Sequence, residues 1–252
     1  MTQASSSRFF SSRSGGSPSG GKPSADAFSK HLVFYAFASV IVLAIAAFLV
    51  FGWAPEDADQ GFRQKIFFLH VPMAIVALSG FVAGGVMAIQ YLRTRDSAWD
   101  LRSYVAIHLS LILGVGVLIT GAIWAKTAWG VWWEWKEPTL VSFLIVFLLY
   151  AIYQPMRFAI EDPEKQSQSA AVYAIVCGAF VPLNFIAVRL AESLVHPRVL
   201  STTGGAMPSE MQITFYVALL GFALLWMALW KFELTAKSVS MRLGKLRAEL
   251  SS

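Results

Sequence analysis

Apolar residues run along this chain in six blocks of about 20, at 31–53, 66–92, 104–126, 138–159, 170–190 and 211–232, separated by short polar stretches. Each block has the length a helix needs to cross roughly 30 Å of hydrocarbon, where every backbone N–H and C=O must be bonded within its own segment. The pattern predicts an all-α polytopic membrane protein with six transmembrane helices and a tryptophan-rich outer loop. Pro72 and Pro138 fall near the starts of spans 2 and 4, where a missing N–H costs least. Pro182 stands mid-membrane beside Asn184, which predicts a kink in span 5 and an amide partnered inside the bundle. Gly80 and Gly84 give span 2 a small-xxx-small face for helix packing. Residues 1–28, rich in Ser, Gly and Pro with no acid before Asp26, read as a disordered tail. Residues 29–234 form the membrane domain, with the loop at 124–137, and 235–252 a basic tail. The acid-free leader resembles an organellar transit peptide in composition, but it is too rich in Gly and Ser for the amphipathic helix such leaders form.

Composition removes the soluble alternatives. Of the 252 residues 56% are hydrophobic and 14% charged, against about 25% charged in a soluble domain. A single cysteine, Cys177, excludes a disulfide framework and a thiolate metal site, each of which needs at least two thiols. The net charge of +5 gains meaning from its placement: 14 of the 20 Lys and Arg residues fall on one side of the six-span topology. By the positive-inside rule that side is cytoplasmic and holds both termini. The expected setting is the inner (cytoplasmic) membrane, crossed many times, with outer loops at 54–65, 127–137 and 191–210.

On that topology His31 and His108 lie toward the cytoplasmic side, whereas His70, at the outer end of span 2, and His196, in the third outer loop, are free to meet. Between them in sequence, five of the nine tryptophans fall within the twelve residues Trp124 to Trp135. Interfacial tryptophan belts are common, but a belt does not need this density. On a helix Trp129, Trp132 and Trp133, at i, i+3 and i+4, make one broad indole face. Such a shelf suits a large, flat, apolar ligand, and two imidazoles from neighbouring segments supply axial nitrogens for a metal at its centre. Flat, apolar and metal-centred describes haem.

The run Trp129-Gly130-Val131-Trp132-Trp133-Glu134-Trp135 closely resembles the tryptophan-rich WWD motif of the haem-handling proteins of cytochrome c maturation. Six spans with one histidine in each flanking outer segment are similar to the CcmC type, the small haem exporter and haem-delivery branch; its larger relatives carry more spans and usually four histidines. The likeness covers about residues 31–232. Lys65-Ile66-Phe67-Phe68-Leu69-His70-Val71-Pro72 resembles the family's first haem-ligand segment, and His196 matches the second ligand in loop and position. The resemblance implies transient binding of haem b at the outer face and its delivery to a periplasmic haem chaperone. It also implies an ABC transporter pair and a small single-span accessory protein as partners. After the tryptophans the family usually continues Trp-Asp-x-Arg, whereas this chain reads Trp135-Lys136-Glu137-Pro138, and the basic residue before the first histidine is Lys65. Lys65 and Arg198, five residues before His70 and two after His196, are the expected partners of the propionates. Lys126 and Lys136 read as interface anchors.

Two other classes fit six spans. A respiratory cytochrome b-type subunit needs histidine pairs on facing helices, and only His108 lies well inside a span. A small-solute permease tends to carry ionisable residues at mid-membrane, and none stands near a span centre here. With no nucleophile beside a base and no phosphate-binding loop, the chain reads as a non-enzyme whose energy source belongs to a partner.

Overall fold

The computed structural model describes residues 25–191, 193–196 and 207–251, and the N-terminal tail read from the sequence lies almost wholly outside them. Among the described residues the regular structure is helical: α1 (Ala25–Gly52), α2 (Phe67–Thr94), α3 (Ser97–Trp129), α4 (Pro138–Phe158), α5 (Pro163–Leu190) and α6 (Ser209–Ser251), with a 3-10 turn at Phe62–Ile66 before α2. Each of the six contains a stretch long and apolar enough to cross a membrane. The bounds follow local chemistry. Asp96 and Asp162 cap α3 and α5 by accepting from the N–H groups of Ala98 at 2.9 Å and Glu164 at 2.9 Å. Pro138 and Pro163 occupy first-turn positions that need no N–H. α6 continues without a break through the segment read as a basic tail.

Helix α2 is the centre of the bundle, and its glycines decide what packs there. A Cβ on Gly80 would stand 2.0 Å from Ser110 Oγ, and one on Gly84 would stand 2.6 Å from Ile107 Cγ1, so the backbone of α2 lies directly against α3. On its other flank Gly85 meets α5, where a Cβ would come within 3.2 Å of Gly178 Cα. Without a hydrophobic driving force between helices in lipid, such close backbone approach supplies the packing attraction. Phe81 stacks on Tyr150 of α4 with centroids 3.9 Å apart, and the Tyr150 hydroxyl donates to the Phe81 carbonyl at 3.1 Å. α1 packs on α6, leaving Phe34, Phe37, Phe48 and Phe51 exposed as a lipid-facing surface.

At the end of the bundle away from the tryptophan run 124–135, a polar network ties three helices together. Arg157 of α4 donates through both terminal nitrogens to the carboxylate of Asp100 on α3, and Ser167 of α5 donates to the same carboxylate at 3.1 Å. Nearby, His108 Nδ1 lies 2.8 Å from Glu233 Oε1, joining α3 to α6, and Lys237 pairs with the same glutamate at 3.3 Å. This carboxylate is the partner of the one histidine that the sequence places well inside a span.

A buried pair that loses one partner leaves an uncompensated charge, at a cost of roughly 3–5 kcal/mol. Asp100→Ala is therefore expected to destabilise the detergent-solubilised protein by several times the effect of Asp162→Ala, which removes an exposed cap worth about 1 kcal/mol. Thermal unfolding of both variants checks the order; equal losses would show that Arg157 finds water or another acceptor.

Candidate functional site

At the opposite end of the bundle, helices α2 to α6 enclose a cavity of about 550 Å³, open toward the surface and lined largely by apolar side chains. This is a normal size for a small-molecule site. His70, Trp124, Trp129, Trp133 and His196 all line it, so the structure brings together two histidines that are 126 positions apart in sequence, with three tryptophans between them. Gln60, Gln64, Asn184 and Arg189 are among its polar wall groups. Asn184, next but one after Pro182 on α5, lines this cavity.

His70 sits in the first turns of α2 with its ring turned to α3, its Nδ1 2.9 Å from Thr120 Oγ1. Trp124 and Trp129 occupy the last turns of α3, edge to face at 4.8 Å. The His196 ring stands 6.0 Å from Trp124 and 6.4 Å from Trp129, tilted steeply to both. Trp124 is further held by its indole N–H, which donates to Gln60 Oε1 at 3.3 Å. Arg63 ties the same first outer segment to the end of α3 by donating to the Thr127 carbonyl at 2.6 Å.

The single helical indole face expected from the spacing does not form. Gly130 takes a left-handed conformation, φ 79°, and its N–H bonds the Lys126 carbonyl, ending α3 at Trp129. The chain then turns, so that Trp129 and Trp133 reach the cavity while Trp132 and Trp135 are 60% and 71% exposed. Lys126 completes this helix end by donating to the Gly130 carbonyl at 2.8 Å. Trp124, counted only as part of the run, proves to be a cavity wall.

Glu137 is the residue whose role the sequence did not reveal. It caps α4, with Thr139 N–H at 3.4 Å, and its other oxygen accepts from the backbone N–H groups of Leu194, Val195 and His196 at 3.0, 2.9 and 3.2 Å. The residue is 0% exposed. One carboxylate therefore fixes both the start of α4 and the loop that carries His196, while Ser193 Oγ donates to the His196 carbonyl. Burial pushes the Glu137 pKa up, but the hydrogen bonds from Val195, His196, Thr139 and Leu194 outweigh it and hold the pKa below 4.5. The dipeptide Glu137-Pro138, which departs from the family's usual Asp-x-Arg, is thus a helix start: cap residue, then proline at the first helical position.

The cationic positions separate in the same way. Lys65 is 8% exposed and donates to the Ala54 carbonyl at 2.6 Å, away from the cavity lining, so its ammonium holds the end of α1 instead of facing a ligand. Arg198 lies outside the described residues. Arg189, near the end of α5, lines the cavity, with its guanidinium 5.2 Å from the centre of the Phe185 ring. Two buried polar atoms of lining residues, Trp133 Nε1 and Gln64 Oε1, have no hydrogen-bond partner among the described residues. An unpaired indole donor in an aromatic-walled cavity with two imidazoles suits a flat ligand that carries a metal and oxygen acceptors. The donor set fits haem.

Comparison with known proteins gives the family. Residues 21–249 match the sequence profile of the family CcmC, described as Heme exporter protein C. The chain is 34% identical over 203 residues to Heme exporter protein C of Paracoccus denitrificans (strain Pd 1222), covering 79% of this chain and 84% of that protein. It is 34% identical over 205 residues to Heme exporter protein C of Bradyrhizobium diazoefficiens, covering 80% and 76%. The protein of the same name from Escherichia coli (strain K12) is 28% identical over 159 residues, 63% of this chain and 64% of that one.

The Glu137 anchor makes a prediction about the loop. Glu137→Gln keeps the shape and removes the charge, and should speed amide hydrogen exchange at Leu194, Val195 and His196 by about 10–100-fold, matching the ~1.5–3 kcal/mol of a charge-assisted hydrogen bond. In the unaltered protein the lowered pKa means that the folded state binds the proton more weakly than the unfolded chain. The contribution is therefore full above the unfolded pKa and disappears only as pH falls through the lower, folded value. Protection lost at the ordinary glutamate pKa, or unchanged in the Gln variant, would contradict the anchor.

Proposed function

The chain belongs to the CcmC family of haem exporter proteins, and from that premise we propose that it binds haem in the cavity at its tryptophan end, at the outer face of the membrane. There it holds haem for transfer to a periplasmic haem chaperone during cytochrome c maturation. His70 and His196 supply the axial nitrogens. The observation that carries this reading is their meeting on one apolar cavity, from a helix and from a loop, with indoles on either side.

Trp124, Trp129 and Trp133 offer ring area to the flat faces of the macrocycle, and stacking adds stabilisation beyond simple burial. Trp133 offers its unpaired N–H as well. Arg189 is the cation we assign to the propionates, since carboxylates left unpaired beside hydrocarbon are costly. Lys65 stays with Ala54. Two neutral imidazoles would hold haem b transiently and without covalent attachment, which suits a protein that passes it on. The sequence carries no phosphate-binding loop of its own, and the partners that the family resemblance implies as the energy source are an ABC transporter pair working with a small single-span accessory protein. The basic end faces the cytoplasm of a cell bounded by an inner membrane.

The absorption spectrum of the purified protein tests the reading: a bis-histidine haem signature at less than one haem per chain is expected. His70→Ala and His196→Ala should each strip most of this haem, whereas His31→Ala and His108→Ala should leave it in place. Equal loss from all four would overturn the assignment. Among the tryptophans, Trp133→Phe, which keeps a ring but removes the N–H, should lower haem retention more than Trp132→Phe or Trp135→Phe. Arg189→Gln should lower it more than Lys65→Gln. A reversed order among the tryptophans would move the ligand to the exposed side of the loop, and a reversed order between the cations would return the propionates to Lys65.

A further inference from the structure

His70 bonds through Nδ1 to Thr120 Oγ1 at 2.9 Å, and which of the two is the donor can be worked out from the rest of the contact. The Thr120 hydroxyl also reaches back along α3 to the carbonyls of Gly116 at 2.8 Å and Val117 at 3.2 Å. A carbonyl can only accept, and a hydroxyl has one proton, which we assign to the two carbonyls of α3 within its reach. Toward His70 the oxygen presents a lone pair, and Nδ1 must carry the hydrogen. The Val117 carbonyl, a second pure acceptor, also faces this imidazole. In the neutral ring Nε2 is then the bare nitrogen.

The ring is also confined. A Cβ on Gly121 would stand 2.9 Å from His70 Cε1, so the imidazole lies flush on the backbone of α3, and both residues line the cavity. We propose that Thr120 is a positioning residue: it locks His70 as the Nδ1–H tautomer and so presents the Nε2 lone pair for axial ligation of haem. The proposal rests on the reading of His70 as a ligand. The chain from Nδ1–H through Oγ–H to the Gly116 carbonyl also makes the imidazole a stronger donor to a metal, as outer partners of metal-bound histidines do.

Three variants and one measurement without haem decide it. In haem-free protein labelled with ¹⁵N at histidine, His70 should show a protonated Nδ1 and a bare Nε2. Thr120→Val, which replaces the hydroxyl by a methyl group of similar size, should give a mixture of tautomers and weaken haem retention by roughly 10–100-fold, the usual effect of removing an outer partner. Thr120→Ser should restore both readouts. If His70→Ala loses haem while Thr120→Val binds like the unaltered protein, the inference fails and the ligand assignment stands. If His70→Ala keeps its haem, the ligand assignment fails and the inference with it. Should Thr120→Val not insert, the unaltered protein still decides, because a protonated Nε2 on His70 overturns the proposal.

Discussion

Close approach of backbones along α2 is the constraint on which the other arrangements rest. Three glycines on one helix, Gly80 and Gly84 toward α3 and Gly85 toward α5, let two neighbours lie where no side chain fits between them. Because α3 lies so close, the first turns of α2 and the last turns of α3 share one wall of the cavity, and the ring of His70 rests on Gly121. Because α5 lies close on the other flank, Asn184 and Arg189 border the same space. The polar network of Asp100, Arg157 and Ser167 then ties α3, α4 and α5 at the far end, so the two ends are held by different physics: van der Waals contact along α2, and charge across the other three.

The two histidines are held by equally different means. His70 stands on a continuous helix, and its imidazole itself is gripped, at Nδ1 and from below. His196 is held through its backbone, with its N–H on Glu137 and its carbonyl on Ser193, while its ring is bounded by the edges of Trp124 and Trp129. One side is built into the bundle, and the other is a loop moored to a single buried charge.

Much of this was legible in the sequence because its signals are local. The spans follow from the length of apolar runs, the start of α4 from Pro138, and the placing of His70 and His196 on one face from topology alone. What was not legible depends on which turn of one helix meets which turn of another. Neither Thr120, fifty positions from His70, nor Arg189 carries a local mark, and Lys65 looked like a ligand partner because its short distance from His70 in sequence says nothing of the carbonyl that captures it. The tryptophan spacing misled for a definite reason: the glycine inside the run ends the helix before the spacing can act, and a left-handed residue sends Trp132 and Trp133 to opposite sides. Glu137 could have been found, since an acid before a proline at the end of a loop is the signature of a helix start, but its grip on residues 194–196 is a tertiary fact.

Helix α6 runs unbroken for 43 residues, which at 1.5 Å per residue is about 64 Å, roughly twice the thickness of the hydrocarbon. Its first turn places Met211 on the cavity wall, and its last residues lie about 60 Å further along the same helix axis. A helix of that length without a proline or a break turns as one body. Tilting it by about 5° about its midpoint would move each end by roughly 3 Å, given the length set by the helical rise. The wall of the cavity and the far end of α6 thus belong to one continuous helix, so a load on that end reaches Met211 along a single backbone with no relay of contacts through the bundle.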